Sequence, residues 1–170
     1  MTSKHVTGVL LRYWIKGKAV IPNYTGRGAN GESDLYLLTK SGYPEEIEIK
    51  VSIADFRREF KTKGFKHNGL NAEYREYQYY IFPRRYWFAV PDCIADQVEK
   101  ELEGTIYGLI VVKHTPGSWR EWEVTERKSA KVLSCSRKLE YKELIALLVC
   151  VTPRIAKSYP IPSTPKQVEP

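Results

Sequence analysis

Residues 46–51 alternate strictly between charged and aliphatic side chains. Successive side chains of a β-strand point to opposite faces, so this alternation places all the charges on one face. We expect the aliphatic face to pack against the core. The charged face carries two carboxylates and an ammonium group, those of Glu46, Glu48 and Lys50, and is a candidate site.

A second predicted strand, residues 34–39, precedes this one, and residues 40–44 between them include the glycine and proline typical of a hairpin connection. With the hairpin centred in that connection, Asp34 lies opposite Glu48 to Lys50 and on the same face. The sequence therefore predicts that the carboxylates of Asp34 and Glu48 and the amine of Lys50 converge on one pocket.

This combination of side chains is suited to phosphodiester hydrolysis with Mg²⁺ or Mn²⁺. Two acids and a strand carbonyl supply the hard oxygen ligands that Mg²⁺ prefers, and they leave positions for water and a phosphate oxygen. Lys50 can orient the attacking water and offset negative charge that develops on the phosphate. The predicted ligands are Asp34, Glu48 and the Ile49 backbone carbonyl.

The pattern of an acid, thirteen residues and Glu-x-Lys, here Asp34, Glu48 and Lys50, resembles the signature of the PD-(D/E)XK nuclease superfamily. Longer runs resemble its MmcB-like and phage-encoded branch, namely residues 48–56, 66–67, 86–91 and 107–110. The resemblance implies a restriction-endonuclease-like core, a Mg²⁺ or Mn²⁺ cofactor, DNA as substrate, and a role in DNA repair, recombination or phage accessory functions. Many relatives carry a further metal-binding Glu on the first helix, whereas the first helix predicted here contains no acid. Glu32 is the nearest substitute and is therefore the predicted auxiliary acid.

Two other interpretations fit the same residues. The first is a nucleic-acid-binding module with the same fold that does not cleave, which the acid-free first helix favours. The second is a protein-interaction domain whose charged hairpin face is only solvated, with cross-strand pairs worth roughly a few tenths of a kcal/mol. Divalent-ion binding separates this last interpretation from the others, and a cleavage assay separates the nuclease from the module.

The charge of the chain favours a polyanionic partner. Among its 170 residues, 27 Lys and Arg outnumber 20 Asp and Glu, for a formal net charge of +7. Backbone phosphate contacts hold DNA without reading its sequence, and no helix-turn-helix or zinc-finger pattern is visible, so we expect little base readout. The predicted phosphate contacts are Arg27, Arg57, Arg58, Lys61, Lys63 and Lys66.

Three cysteines without C-x-x-C spacing indicate a reduced, intracellular setting. No apolar run is long enough to cross a bilayer, and the N-terminus lacks the apolar segment of a signal peptide. We therefore expect a cytoplasmic protein without a membrane partner. The sequence leaves the oligomeric state undetermined and admits a dimer.

Several elements must position the hairpin. Apolar spacing predicts a first helix that begins at Thr2 or Ser3, and residues 19–22 predict a short strand that ends at proline. Ser52 and Asp55 have the spacing of a capping box and predict a second helix directly after the charged strand. The N-terminus of that helix would favour a nearby anion.

The second half of the chain predicts a buried strand at residues 86–90, a helix at 92–103 and another buried strand at 107–112. Strand, helix and strand at this spacing imply a right-handed crossover. We therefore expect an α/β fold with a mixed β-sheet flanked by helices.

The C-terminal part predicts a final helix at residues 139–151, followed by five prolines from residue 153 onward. We therefore expect one domain over residues 1–151 and an extended, mobile tail over residues 152–170.

Overall fold

A computed structural model of the chain describes residues 1–14, 17–25, 32–72, 81–117 and 121–158. The chain divides into two units between residues 139 and 140. The strands, all in the first unit, are β1 (Ala19–Tyr24), β2 (Ser33–Leu38), β3 (Pro44–Ile49), β4 (Arg85–Pro91), β5 (Gly108–His114) and β6 (Trp122–Lys128). The helices are α1 (Ser3–Trp14), α2 (Ile53–Thr62), α3 (Gly64–Ala72), α4 (Ala95–Glu101) and, in the second unit, α5 (Tyr141–Ser158).

The six strands form one sheet whose spatial order is the same as their order in the sequence. The β1–β2, β2–β3 and β5–β6 pairs are antiparallel, while β3–β4 and β4–β5 are parallel. Parallel neighbours need a crossover connection, which α2 and α3 supply before β4 and α4 supplies before β5. The predicted α/β fold with a mixed sheet flanked by helices is confirmed.

Both faces of the sheet are covered. On one face, Val6 and Leu10 of α1 pack with the aliphatic side chains of β2 and β3. On the other face, α2, α3 and α4 contribute to a second core that contains Phe56, Leu70 and Val98. Because Ile47 and Ile49 of β3 face α1, the alternating residues Glu46 and Glu48 lie on the face covered by α2 and α3.

The pairing of β4 with β5 contains a close approach that only glycine permits. Gly108 is the register partner of Trp87. A Cβ atom on Gly108 would lie 2.2 Å from the Trp87 ring and 2.7 Å from the backbone nitrogen of Ala130. Both distances are well below van der Waals contact, so the indole ring occupies the space that a side chain at position 108 would need.

Two elements extend past their predicted ends and include a proline. β1 continues through Pro22 to Tyr24, because it is an edge strand, where the missing N–H of proline is tolerated. α5 continues through Pro153 to Ser158, well past residue 151, because an internal proline removes one hydrogen bond and can kink a helix without ending it. The rest of the predicted tail, residues 159–170, lies outside the described residues. None of the described helices has the length and apolar character needed to span a bilayer.

Candidate functional site

The hairpin of β2 and β3 brings the predicted acids together. Leu35 pairs with Ile47, so the next residues outward, Asp34 and Glu48, share the opposite face of the sheet. Asp34 Oδ2 accepts a hydrogen bond of 2.7 Å from the N–H of Ile49, the last residue of β3. Asp34 therefore reaches the end of β3, where the Ile49 backbone is also located.

Lys50 follows β3 and lies between two carboxylates. Its Nζ donates to Glu59 Oε2 at 2.8 Å and to Glu48 Oε2 at 3.4 Å. Burial alone would lower the pKa of Lys50, but the hydrogen bond that it donates to Glu59 and the charges of Glu48 and Glu59 outweigh this effect and raise the pKa. Lys50 is therefore a protonated donor at neutral pH.

Glu48 is almost completely buried, and ammonium groups face both of its oxygens. Lys63 Nζ lies 3.0 Å and Lys66 Nζ 3.3 Å from Glu48 Oε1, while Lys50 faces Oε2. The pKa of Glu48 is raised, mainly by burial, and the carboxylates of Glu59 and Asp34 add to the effect. The charges of Lys66 and Lys63 oppose the rise.

Glu46 precedes Glu48 by two residues on the same face of β3 and is fully buried. Its Oε2 accepts from Lys66 at 2.7 Å and from Ser33 Oγ at 2.8 Å, whereas Oε1 has no hydrogen-bond partner among the residues that the structure describes. Burial lowers the pKa of Lys66, but Glu46 and Glu48 raise it by more. The sequence predicted Lys66 as a phosphate contact on the surface. This placement is wrong, because the side chain is only 5% exposed and is held by buried carboxylates.

Glu59 of α2 connects this group of charges to a buried histidine. Its Oε1 lies 3.1 Å from Lys63 Nζ and 3.6 Å from His67 Nε2, and His67 Nδ1 lies 2.8 Å from the Tyr107 hydroxyl. Burial would raise the pKa of Glu59, but His67 and Lys50 hold it well below its usual range. Burial also raises the pKa of Tyr107 to about 12.

Glu59 was missing from the candidates drawn from the sequence, although one signal for it is visible there. It lies three residues after Phe56, so the two share a face of the helix, and Phe56 is in the core. The buried face of α2 therefore includes a carboxylate. We refer to the following seven side chains as the charge cluster: Asp34, Glu46, Glu48, Lys50, Glu59, Lys63 and Lys66.

The charge cluster contains four carboxylates and three ammonium groups, so its formal charge before His67 is counted is −1. Among the described residues, no group of three or more Asp, Glu, His or Cys side chains is arranged to hold a metal ion. Mg²⁺ needs fewer protein ligands, because it keeps several waters and is commonly bound through one or two carboxylates. Asp34, Glu48 and the Ile49 carbonyl could hold such a hydrated ion if one of the lysines paired with Glu48 moved away from it.

The other predicted contacts are distributed unevenly around the charge cluster. Arg58 and Lys61 are exposed on α2, and Arg57 is also exposed but donates to Glu101, with its Nη2 2.6 Å from Oε1. Glu32 is exposed, and its backbone carbonyl accepts from Lys63 at 3.2 Å. Arg27 lies outside the described residues. The predicted start of α2 is present, since Ser52 Oγ accepts from the Asp55 N–H at 3.2 Å.

No family model and no curated protein matches the chain. Among solved structures, the chain is similar to a protein of unknown function from Silicibacter pomeroyi. The TM-score is 0.53 and the sequence identity 19%, over 89% of this chain and 84% of that one. At this identity the likeness shows the fold alone.

Proposed function

We propose that this protein is a metal-dependent DNA nuclease that hydrolyses phosphodiester bonds with Mg²⁺ or Mn²⁺. The observation that carries the proposal is the meeting of Asp34 and Glu48 at the end of β3, with the Lys50 ammonium 3.4 Å from Glu48. Asp34, Glu48 and the Ile49 carbonyl would hold the ion, with Glu32 as an auxiliary acid. A bound divalent ion supplies Lewis-acid polarisation of a phosphoryl oxygen and lowers the pKa of a bound water.

Lys50 acts in this proposal as a donor and not as a base. Its raised pKa keeps the amine protonated, so it can donate to the attacking water or to a phosphate oxygen as negative charge develops. Glu59 holds the ammonium at 2.8 Å and so fixes its position before substrate arrives. Such preorganisation allows the group to stabilise a transition state without first rearranging.

The proposal that DNA is the partner is based on the net charge of the chain and on the resemblance to PD-(D/E)XK nucleases. The chain carries a net charge of +7, and Arg58 and Lys61 are exposed on the helix that also carries Glu59. Phosphate contacts from such residues would position a strand with little base readout. A cytoplasmic role in DNA repair, recombination or phage accessory functions belongs to the same proposal.

A second candidate is a nucleic-acid-binding module that does not cleave. It is favoured by the pairing of both Glu48 oxygens with lysines of the same chain. In that case the charge cluster would hold α2 and α3 on the sheet and take no part in chemistry.

The deciding experiment offers linear, circular single-stranded and branched DNA to the protein with Mg²⁺ or Mn²⁺, with a chelator in parallel. A Glu48→Gln variant, which keeps the side-chain shape but loses the charge, is the matched control. We expect metal-dependent cutting by the wild type alone. Binding of Mn²⁺ and DNA without cutting would favour the module, and binding of neither would favour a protein-interaction domain.

A further inference from the structure

Lys63 differs from the other lysines of the charge cluster in its access to solvent. Its side chain is 25% exposed, against 9% for Lys50 and 5% for Lys66. Lys63 is the residue directly after α2, between α2 and α3. Its Nζ contacts Glu48 Oε1, Glu59 Oε1 and the backbone carbonyl of Glu32. Lys63 therefore closes the solvent side of the charge cluster.

Lys63 can also leave without depriving a buried carboxylate of its last ion-pair partner in the charge cluster. Without it, Glu48 keeps Lys50 and Lys66, and Glu59 keeps Lys50. Lys66, in contrast, is the ion-pair partner of the fully buried Glu46, so its departure would leave that carboxylate unpaired. An unpaired buried charge is strongly destabilising, whereas loss of one of several partners costs much less.

The formal charges favour replacement of Lys63 by a divalent ion. With Lys63 in place, the charge cluster has one net negative charge. With Lys63 withdrawn, four carboxylates face two ammonium groups, and an ion of charge +2 then restores neutrality. Lys63 and Lys66 also share the same Glu48 oxygen, so the repulsion between the two ammonium groups weakens the attachment of Lys63 to Glu48.

From these observations we propose that Lys63 is an exchangeable counterion. It neutralises Glu48 while the site is free of metal, leaves Glu48 when a divalent ion binds, and is then available at the surface to a DNA phosphate. The proposal rests on the proposed function and concerns the regulation of the same site. Metal binding would thereby create a phosphate contact beside the scissile bond, coupling ion and DNA affinity.

The first test titrates Mn²⁺ by calorimetry into wild type, Lys63→Met and, as a matched control, Lys61→Met, which changes an exposed lysine of α2. Because Lys63→Met removes a competing charge next to Glu48, we expect about tenfold tighter Mn²⁺ binding. Lys61→Met should bind like wild type. Equal affinity of wild type and Lys63→Met would overturn the exchange but leave the nuclease proposal standing, while failure of all three to bind Mn²⁺ would remove both.

The second test uses the wild-type protein and does not depend on the folding of a variant. Lysines are labelled with an amine-reactive reagent, with and without saturating Mn²⁺, and quantified by mass spectrometry. We expect labelling of Lys63 to rise several-fold with Mn²⁺ while that of Lys61 stays constant. Unchanged labelling of Lys63 in the metal-bound protein would show that it remains on Glu48, which overturns the proposal.

Discussion

Lys50, Glu48 and Glu59 form ion pairs in a part of the molecule that is nearly closed to water. Removal of such charges from solvent costs several kcal/mol per ion, and their attraction offsets this only when the geometry is good. Well-packed apolar side chains in the same places would stabilise the fold at least as well. The retention of so many charges here favours a role in binding or chemistry over one in stability alone.

Replacement of Glu48 and of Lys50 should separate metal binding from catalysis. Glu48→Ala removes a proposed metal ligand, so Mn²⁺ affinity and DNA cleavage should fall together. Lys50→Ala should retain or tighten Mn²⁺ binding, because an ammonium near a cation is repulsive, while cleavage falls by about 10² or more. Calorimetry and a cleavage time course measure the two effects. A Lys50→Ala enzyme that cuts as fast as wild type would remove Lys50 from the mechanism.

Glu59→Gln should show how much one carboxylate of the charge cluster contributes to the free energy of unfolding. Loss of the buried pair with Lys50 should lower the free energy of unfolding by about 3 kcal/mol at neutral pH. The pKa of Glu59 is held below its ordinary 4.5, so its contribution is present above 4.5 and is lost as the pH falls toward the lower folded-state pKa. In urea unfolding, the difference in the free energy of unfolding between wild type and variant should therefore become smaller in acid. A difference in this free energy that does not change with pH would mean that the charge of Glu59 is not what stabilises the fold.

Among the elements, the β2–β3 hairpin could be predicted almost completely from the sequence. The alternation at residues 46–51 and the short connection before it fix which side chains share a face, because both depend only on neighbours along the chain. The central strand β4 was predictable for a similar reason, since a dense apolar run indicates burial on both faces. Asp34, Glu48 and Lys50 were found from such local patterns.

The helix side of the charge cluster could not be predicted in the same way. Glu59, Lys66 and His67 reach Glu48 only because α2 and α3 lie across the sheet at a particular rotation and tilt. Those angles follow from how Phe56 and Leu70 pack in the core, which local spacing does not determine. The sequence therefore predicts Lys66 as a phosphate contact, although its side chain is buried in the charge cluster.

The exposed side of α2 should carry the electrostatic part of DNA binding. Arg58→Ala combined with Lys61→Ala should reduce the slope of log affinity against log salt by about two counterion units, without changing sequence preference. The matched control is Lys4→Ala with Arg12→Ala, which removes two exposed charges from α1 on the other face of the sheet. Fluorescence anisotropy at several salt concentrations measures the slopes. If the control pair changes the slope and the α2 pair does not, DNA binds on the α1 face.

At the scale of the whole molecule, both cores belong to the first unit. Their buried members extend from Val6 to Leu133, and Leu139 still donates a backbone hydrogen bond to Gly42. A chain that ends at Leu139 should therefore retain the sheet and unfold cooperatively in urea. Near-UV circular dichroism and the sharpness of the urea transition test this expectation. A broad transition with loss of the aromatic signal would show that residues 140–170 are needed for the fold.

The contact of Trp87 with Gly108 links two positions that lie on different strands and are separated by α4. A mutation that gives position 108 a side chain can be accepted only after the indole at position 87 has been exchanged for a smaller side chain and the backbone at Ala130 has moved. Over evolutionary time the loss of tryptophan at position 87 should therefore precede the loss of glycine at position 108. Among diverged descendants of this fold, that order of replacement would identify this sheet even where the charged residues of β3 are no longer recognisable.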